Sequence, residues 1–164
     1  MPEAATFEEI VEAHYQNLFR FALSLSQKEN DACDLVQQTF AIFAQKGHQL
    51  RDSSKVKSWL FTTLRREFLA SRRKAERFAD EPPDEATTPD LSEERLATLD
   101  GETVIRALGE LPLEYREPLT LFYLDEHTYQ DISNHLNIPI GTVMSRLSRA
   151  KVKLRALLQN ATAK

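Results

Sequence analysis

Apolar residues recur at three- and four-residue spacing through both ends of the chain, and no period-two alternation persists, so the pattern predicts an all-α fold. Thr6 followed by Glu9 has the form of a capping box. Phe7, Ile10, Val11, His14, Leu18, Phe21, Ala22 and Leu25 then continue along one stripe as a first helix. Asn30 or Asp31 is placed to cap a second helix, with Ala32, Leu35, Val36, Phe40, Phe43 and Ala44 inward and Gly47 at its end. After a loop from His48 to Ser54, with Ser53 or Ser54 as the start, a third helix turns Val56, Trp59, Leu60, Thr63, Leu64 and Phe68 inward. Lys57, Arg65, Arg66, Arg72, Arg73 and Lys74 cover its remaining surface as a basic ridge.

The periodicity then stops. From Phe78 to Glu94 the chain reads FADEPPDEATTPDLSEE, with three prolines, many carboxylates and few large apolar groups. Such a stretch buries too little surface to offset its ordering entropy. It is read as a flexible acidic linker over 79–94, dividing the chain into helical units at 1–78 and 95–164, each close to the lower size limit for folding alone. Beyond it, Leu91 to Leu108 predicts a helix, and Leu111-Pro112 opens another. Pro118 falls inside that helix without an N–H for the Glu114 carbonyl, so a kink or a late start is expected there.

The most legible part follows. Thr128 and Asp131 again form a capping box, Tyr129, Ile132 and Leu136 line a short helix, and Asn137-Ile138 makes a turn. Pro139, at a first helical position, starts a longer helix with Ile140, Val143, Leu147, Ala150, Leu154 and Leu157 on its stripe. Opposite that stripe lie Thr142, Ser145, Arg146, Arg149 and Lys153, with no carboxylate from Pro139 to the end. A short helix, a tight turn and a basic helix form a helix-turn-helix whose hydroxyls and cations suit the major groove of duplex DNA.

Charge sharpens this picture. The net charge of the 164 residues is −4, yet residues 55–78 carry +6, 79–102 carry −8 and 137–164 carry +6. Two basic segments separated by an acidic one predict two polyanion-binding surfaces on a chain that otherwise repels polyanions. The longest apolar runs, about five residues, fall far short of the ~20 that cross a bilayer, and Met1-Pro2-Glu3 opens no signal pattern. The expectation is a cytoplasmic protein that makes no membrane contact. A lone Cys33 supplies neither an internal disulfide nor a thiolate metal cluster. His14 is read as a helix-face residue and His48, His127 and His135 as surface groups, none at metal-ligand spacing. No catalytic residue, metal or cofactor is expected.

Leu111 to Leu158, with LPLEYREPLTLFYL, TYQDISNHL and IPIGTVMSRLSRAKVKL, resembles region four of bacterial RNA polymerase sigma factors. DLVQQTF at Asp34 to Phe40 resembles the polymerase-binding helix of region two, and the helix from Trp59 to Arg73 resembles its promoter-opening helix. The two sets in this order, joined by a short acidic linker, are similar to the extracytoplasmic-function (ECF) sigma factors over nearly the whole chain.

The resemblance implies a non-enzymatic subunit that binds core RNA polymerase (β′ and β subunits), with Asp34, Leu35, Gln37, Gln38, Thr39 and Phe40 matching the β′-binding positions. Gln38 stands where the family has Glu, which weakens a contact with a β′ arginine. It implies two DNA contacts. Lys57, Arg65, Arg66, Arg72 and Arg73 would meet a single-stranded downstream promoter element, with His48, Gln49 and Asp52 near an extruded base. Trp59 is expected in the core rather than stacked on that base. Arg66 and Ala70 replace two polar readers of the family. Thr142, Met144, Ser145, Arg146, Ser148, Arg149 and Lys153 would read a duplex upstream element. Met144, in place of a cation, lowers the salt slope by about 0.9. The acidic linker would pass through the polymerase's basic RNA-exit path, and an anti-sigma factor is a usual partner in the family. A helix-turn-helix regulator acting without polymerase, and a degenerate sigma-like interaction protein, are the competing readings. The sequence leaves open whether the two units fold against each other.

Overall fold

The computed structural model of the protein describes residues 5–47, 50, 52–78, 101–123 and 125–162. These form seven α-helices and no strand: α1 (Phe7–Ser26), α2 (Glu29–Lys46), α3 (Val56–Phe78), α4 (Gly101–Gly109), α5 (Leu113–Tyr123), α6 (Tyr129–Leu136) and α7 (Ile140–Thr162). The linker reading at 79–94, the first part of the helix expected over Leu91 to Leu108, His48 and Gln49 lie outside the described residues.

The helix starts show how much local chemistry decides. Thr6 Oγ1 accepts from the Glu9 N–H at 3.2 Å while Glu9 Oε2 accepts from the Thr6 N–H at 3.2 Å, the reciprocal box expected. Between α1 and α2 the expectation misses by two residues. Gln27 turns into the left-handed region (φ 62°), its N–H bonds the Leu23 carbonyl, and α2 begins at Glu29 without a side-chain cap. Asn30 and Asp31 therefore stand inside the first turn, where Asp31 still opposes the positive helix end. At the end of α2, Gly47 keeps right-handed dihedrals, so its use is space: a Cβ there would lie 2.7 Å from the Phe43 ring. Ahead of α3, Asp52 rather than a serine makes the entry, accepting from Ser54 N–H (3.0 Å) and Ser54 Oγ (2.7 Å) across a 3₁₀ turn at Ser53–Lys55. Helix α5 starts at Leu113, directly after Pro112, and runs through Pro118.

Three helices, α1 to α3, wrap one apolar centre of Leu18, Phe21, Val36, Phe40, Phe43, Leu60 and Leu64. Trp59 packs edge-on to Phe43 at 5.5 Å, the core role expected of it. Helices α4 to α7 close over Leu108, Leu119, Leu121, Ile132, Val143 and Leu147. The question left open by sequence is answered by contact. The two units share one continuous core, with α1 against α4 and α5 and α3 against α6.

Polar bonds stitch the same seam. Thr120 gives its hydroxyl proton to the Arg116 carbonyl (2.8 Å), so Ser24 is the donor in the buried 2.7 Å bond between Ser24 Oγ and Thr120 Oγ1. Gln27 Nε2 reaches the Ile105 carbonyl at 2.9 Å, and Gly109 is what lets it: a Cβ there would stand 2.3 Å from Gln27 Oε1. Gly109→Ala should therefore loosen this end of the seam, read as a fall of about 1–3 kcal/mol in urea-unfolding stability.

Candidate polymerase and promoter-DNA interfaces

On α2, helical spacing splits the candidate positions. Asp34, Gln37 and Gln38 are exposed, whereas Leu35, Thr39 and Phe40 are buried. Thr39 spends its hydroxyl on the Leu35 carbonyl at 2.7 Å, and Phe40 meets Phe7 edge-on at 6.4 Å. Of the polar three, Gln37 borders an open apolar groove between α1 and α2, lined also by Phe7, Val11, Tyr15, Val36, Phe40 and Ala44. Phe7 and Tyr15 remain 45% and 43% exposed, a surplus of apolar surface beyond what this core needs.

Along α3 the cations divide by height. Arg66, Arg72 and Arg73 are exposed; Arg72 is 3.7 Å from Glu76 one turn on, a weak surface pair, and Arg73 Nε reaches the Leu69 carbonyl at 3.4 Å. Lys57 and Arg65, half-buried, point into the second unit. Lys57 Nζ donates to the Asp125 carbonyl at 3.1 Å, and Arg65 pairs with the buried carboxylate of Glu117. The basic ridge of the sequence is thus an open upper half and a covered lower half. Asp52, exposed beside α3, has its carboxyl held below the usual range by the two Ser54 bonds.

The α6–α7 corner is built as its sequence predicts. Asp131 N–H donates to Thr128 Oγ1 and Thr128 N–H to Asp131 Oδ2, both at 3.1 Å, and the Thr128 N–H holds the Asp131 carboxyl below its usual range. Asn137 adopts φ 54° and caps α6 through its N–H to the Ser133 carbonyl. Ser133 Oγ donates to the Ile138 carbonyl at 2.6 Å, fixing the turn, and Pro139 accepts the first bonds of α7 from Thr142 and Val143. Val143, Leu147 and Ala150 go inward; Met144, Ser145, Ser148 and Arg149 are exposed, and Thr142 and Arg146 half-exposed. Ser145 donates to the Thr142 carbonyl at 3.1 Å and keeps its lone pairs for a partner. Lys153 is directed elsewhere, its ammonium over the Tyr115 ring at 5.4 Å, as Lys151 lies over Phe122 and Tyr123. Ile140, on the expected inward stripe, is 44% exposed at the helix start.

Two comparisons decide the family. The Sigma-70 region 2 family matches residues 10–78 and the Sigma-70, region 4 family matches residues 101–154. ECF RNA polymerase sigma factor SigM of Bacillus subtilis (strain 168) is 33% identical over 93% of this chain and 94% of its own. The chain belongs to the ECF RNA polymerase sigma factors. A second relative of this sigma factor, EcfG of Rhodopseudomonas palustris (strain TIE-1), is 33% identical over 96% of this chain and 88% of its own. Among solved structures, the sigma factor RpoE in complex with the anti-sigma factor NepR from Bartonella quintana superposes with a TM-score of 0.76. It is 31% identical, covering 93% of this chain and 96% of that one. CnrH in complex with the cytosolic domain of CnrY gives 0.67 at 26% identity over 94% and 88%. The family is one of transcription initiation factors rather than enzymes, and among the described residues no helix is long and apolar enough to cross a membrane.

Sequence reasoning missed the polar groups between the units. His127 and His135, read as surface residues, are 4% and 7% exposed, with ring centroids 4.9 Å apart and both against Phe61. Asp125 and Glu117 are buried as well. Glu117, the neighbour of a proline inside a helix, carried no local sign of its role. Its partner Arg65 stands 52 positions earlier.

Proposed function

We propose that this sigma factor holds core RNA polymerase through Asp34, Gln37 and Gln38 on α2 and reads duplex promoter DNA through Thr142, Met144, Ser145, Arg146, Ser148 and Arg149 on α7. Leu35, Thr39 and Phe40 support the first surface from below. The observation that carries the reading is the outer face of α7, hydroxyls and guanidiniums without a carboxylate, presented by a corner whose caps and turn are all made. Arg66, Arg72 and Arg73 form the surface for the single-stranded downstream element, and Lys57 and Arg65 join it when α5 and α6 move away. Lys153 serves phosphate only by leaving Tyr115. Residues 1–78 and 95–164 divide these tasks, with 79–94 as the tether. The protein works without catalytic groups or a cofactor, in the cytoplasm where core polymerase is. An anti-sigma factor is its further partner, since the RpoE and CnrH structures are of complexes with NepR and CnrY.

The test is transcription of genomic fragments by core polymerase with and without the protein, sequencing RNA 5′ ends. Discrete new starts sharing two spaced upstream motifs support the reading; co-purification with core without new starts, or DNA binding without core, overturns it. Arg146→Ala and Arg149→Ala should each weaken duplex promoter binding by about 1–3 kcal/mol while polymerase binding holds. Gln37→Ala should do the reverse, lowering affinity for core in a titration and leaving duplex binding unchanged. It is cleaner than any change at Phe40, whose ring is part of the core.

A further inference from the structure

Asp125, His127 and His135 are all buried where α3 of the first unit is covered by the α5–α6 region of the second, the two imidazoles in contact at 4.9 Å between centroids and Lys57 of α3 bonded to the Asp125 carbonyl. Neither ring nitrogen of His127 and neither carboxylate oxygen of Asp125 has a hydrogen-bond partner among the described residues, and all four atoms are shut off from solvent. Phe61 seals the group from the α3 side, its ring 4.8 Å from His127 and 6.3 Å from His135. His135 Nδ1 shares a 2.9 Å bond with Thr62 Oγ1 of α3. Buried polar groups without partners cost free energy in the closed arrangement, and separation of the units would return every one of them to water.

We propose that this group is a pH-sensitive latch, which holds the two units closed most firmly in slightly acid solution and releases them as the solution becomes either more acid or more alkaline. Burial sets the sign of each shift, and charged neighbours add to it or oppose it. Lys57 and Arg65 on α3, and Arg20 on α1, place positive charge around the group; Asp131 on α6 is the near negative charge, Glu117 on α5 is engaged by Arg65, and His14 on α1 faces Lys57.

Burial, the neighbouring His135 and Lys57 push the His127 imidazole down to about 4, and burial lowers His135. Open, both return to about 6.5, so below that pH opening takes up protons and acid favours the open form. Asp125 works the other way. Burial raises its carboxyl to about 8 despite Lys57 and Arg20, so between its ordinary value near 4 and pH 8 opening releases a proton, and alkali favours the open form. Between about pH 7 and 8 the proton released by Asp125 outweighs the residual uptake by the opened imidazoles, and the open-to-closed ratio rises about three- to fivefold per unit. Further into acid, the proton His127 gains on opening cancels the one Asp125 loses, and the further uptake by His135, which burial also lowers, tips the balance so that the ratio rises again. Opening bares Lys57 and Arg65. Only that consequence rests on the reading of α3 as a DNA-binding helix.

Small-angle scattering of the full chain from pH 4.5 to 9, with circular dichroism to confirm constant helix content, tests the latch without polymerase or DNA. A smallest radius of gyration near pH 6.5, rising on both sides, is expected. Asp125→Asn should flatten the alkaline side and steepen the acid side, where its proton no longer opposes the imidazoles; His127→Phe should reduce the acid side and keep the alkaline rise. On the wild-type chain, NMR titration of the histidine ring protons needs no substitution. His127 and His135 titrating near 6.5 in the compact chain, or a pH profile of size unchanged by both substitutions, would overturn the latch. Failure to initiate transcription would instead count against the DNA reading alone.

Discussion

Cutting Phe61 back to alanine is expected to cost about 3–5 kcal/mol, because the ring belongs to two packings at once. It is 1% exposed, tilted against Phe21 of α1 at 5.5 Å on one side and against His127 and His135 on the other. Most core truncations leave a cavity within one unit. Here the void opens on the seam, so lost packing adds to lost docking, and the polar groups beneath Phe61 gain a route to water. Urea unfolding of the full chain should show the fall in stability, and scattering should show expansion at pH 6.5, where the wild type is compact. Phe61→Leu keeps most of the volume and should lose less than half as much. A loss below 1 kcal/mol for the alanine variant would mean that the seam is not packed on this ring.

Phe61 also marks where sequence reading stops. The inward stripe of α3, Val56, Trp59, Leu60, Thr63, Leu64 and Phe68, assumes one buried face, and Phe61 lies just outside it. That stripe is the face toward α1 and α2. The second unit buries an adjoining arc, which brings in Phe61, Lys57, Thr62 and Arg65, and nothing in a helical period announces a second partner. The same limit hides His127, His135, Asp125 and Glu117, whose burial depends on residues 50 to 100 positions away. Features decided within five residues were legible: both capping boxes, the Asn137 turn, the start of α5 after Pro112 and the charge asymmetry of α7. The entry to α2 was not, because the left-handed Gln27 ends α1 with its own N–H and starts the next helix before the residues best suited to cap it. Of the candidate surfaces, the outward positions Thr142, Met144, Ser145, Arg146, Ser148 and Arg149 of α7 could be read from helical spacing, while Ile140 and Lys153 departed from it; on α2, half of the matching positions turn out to be the core side of the same helix.

Arg116→Met should lower stability by about 3 kcal/mol and separate the units further than any surface substitution, for reasons that begin with the end of α1. That helix has no basic residue in its last turn, so its negative end goes uncompensated from within. Arg116 of α5 supplies the charge from the other unit. Nη1 donates to the Ser24 and Leu25 carbonyls at 3.3 and 3.0 Å, while Nη2 donates to the Gly109 and Leu111 carbonyls at 3.2 and 3.0 Å. One planar fork thus closes the ends of α1 and α4 together, satisfying carbonyls that a helix terminus leaves over. Methionine fills similar space and donates nothing; the Ser24 carbonyl keeps its 2.9 Å bond from Gln27 Nε2, but the Leu25, Gly109 and Leu111 carbonyls lose their guanidinium donor in a region that burial has already made hostile to charge, as the lowered pKa of the guanidinium reflects. Arg116→Lys is the informative companion. An ammonium restores the charge but cannot span both pairs of carbonyls, so it should recover about half the loss in urea unfolding. Full recovery would show that charge alone matters at this junction; no recovery would show that the four-carbonyl geometry is what binds α1 to the second unit.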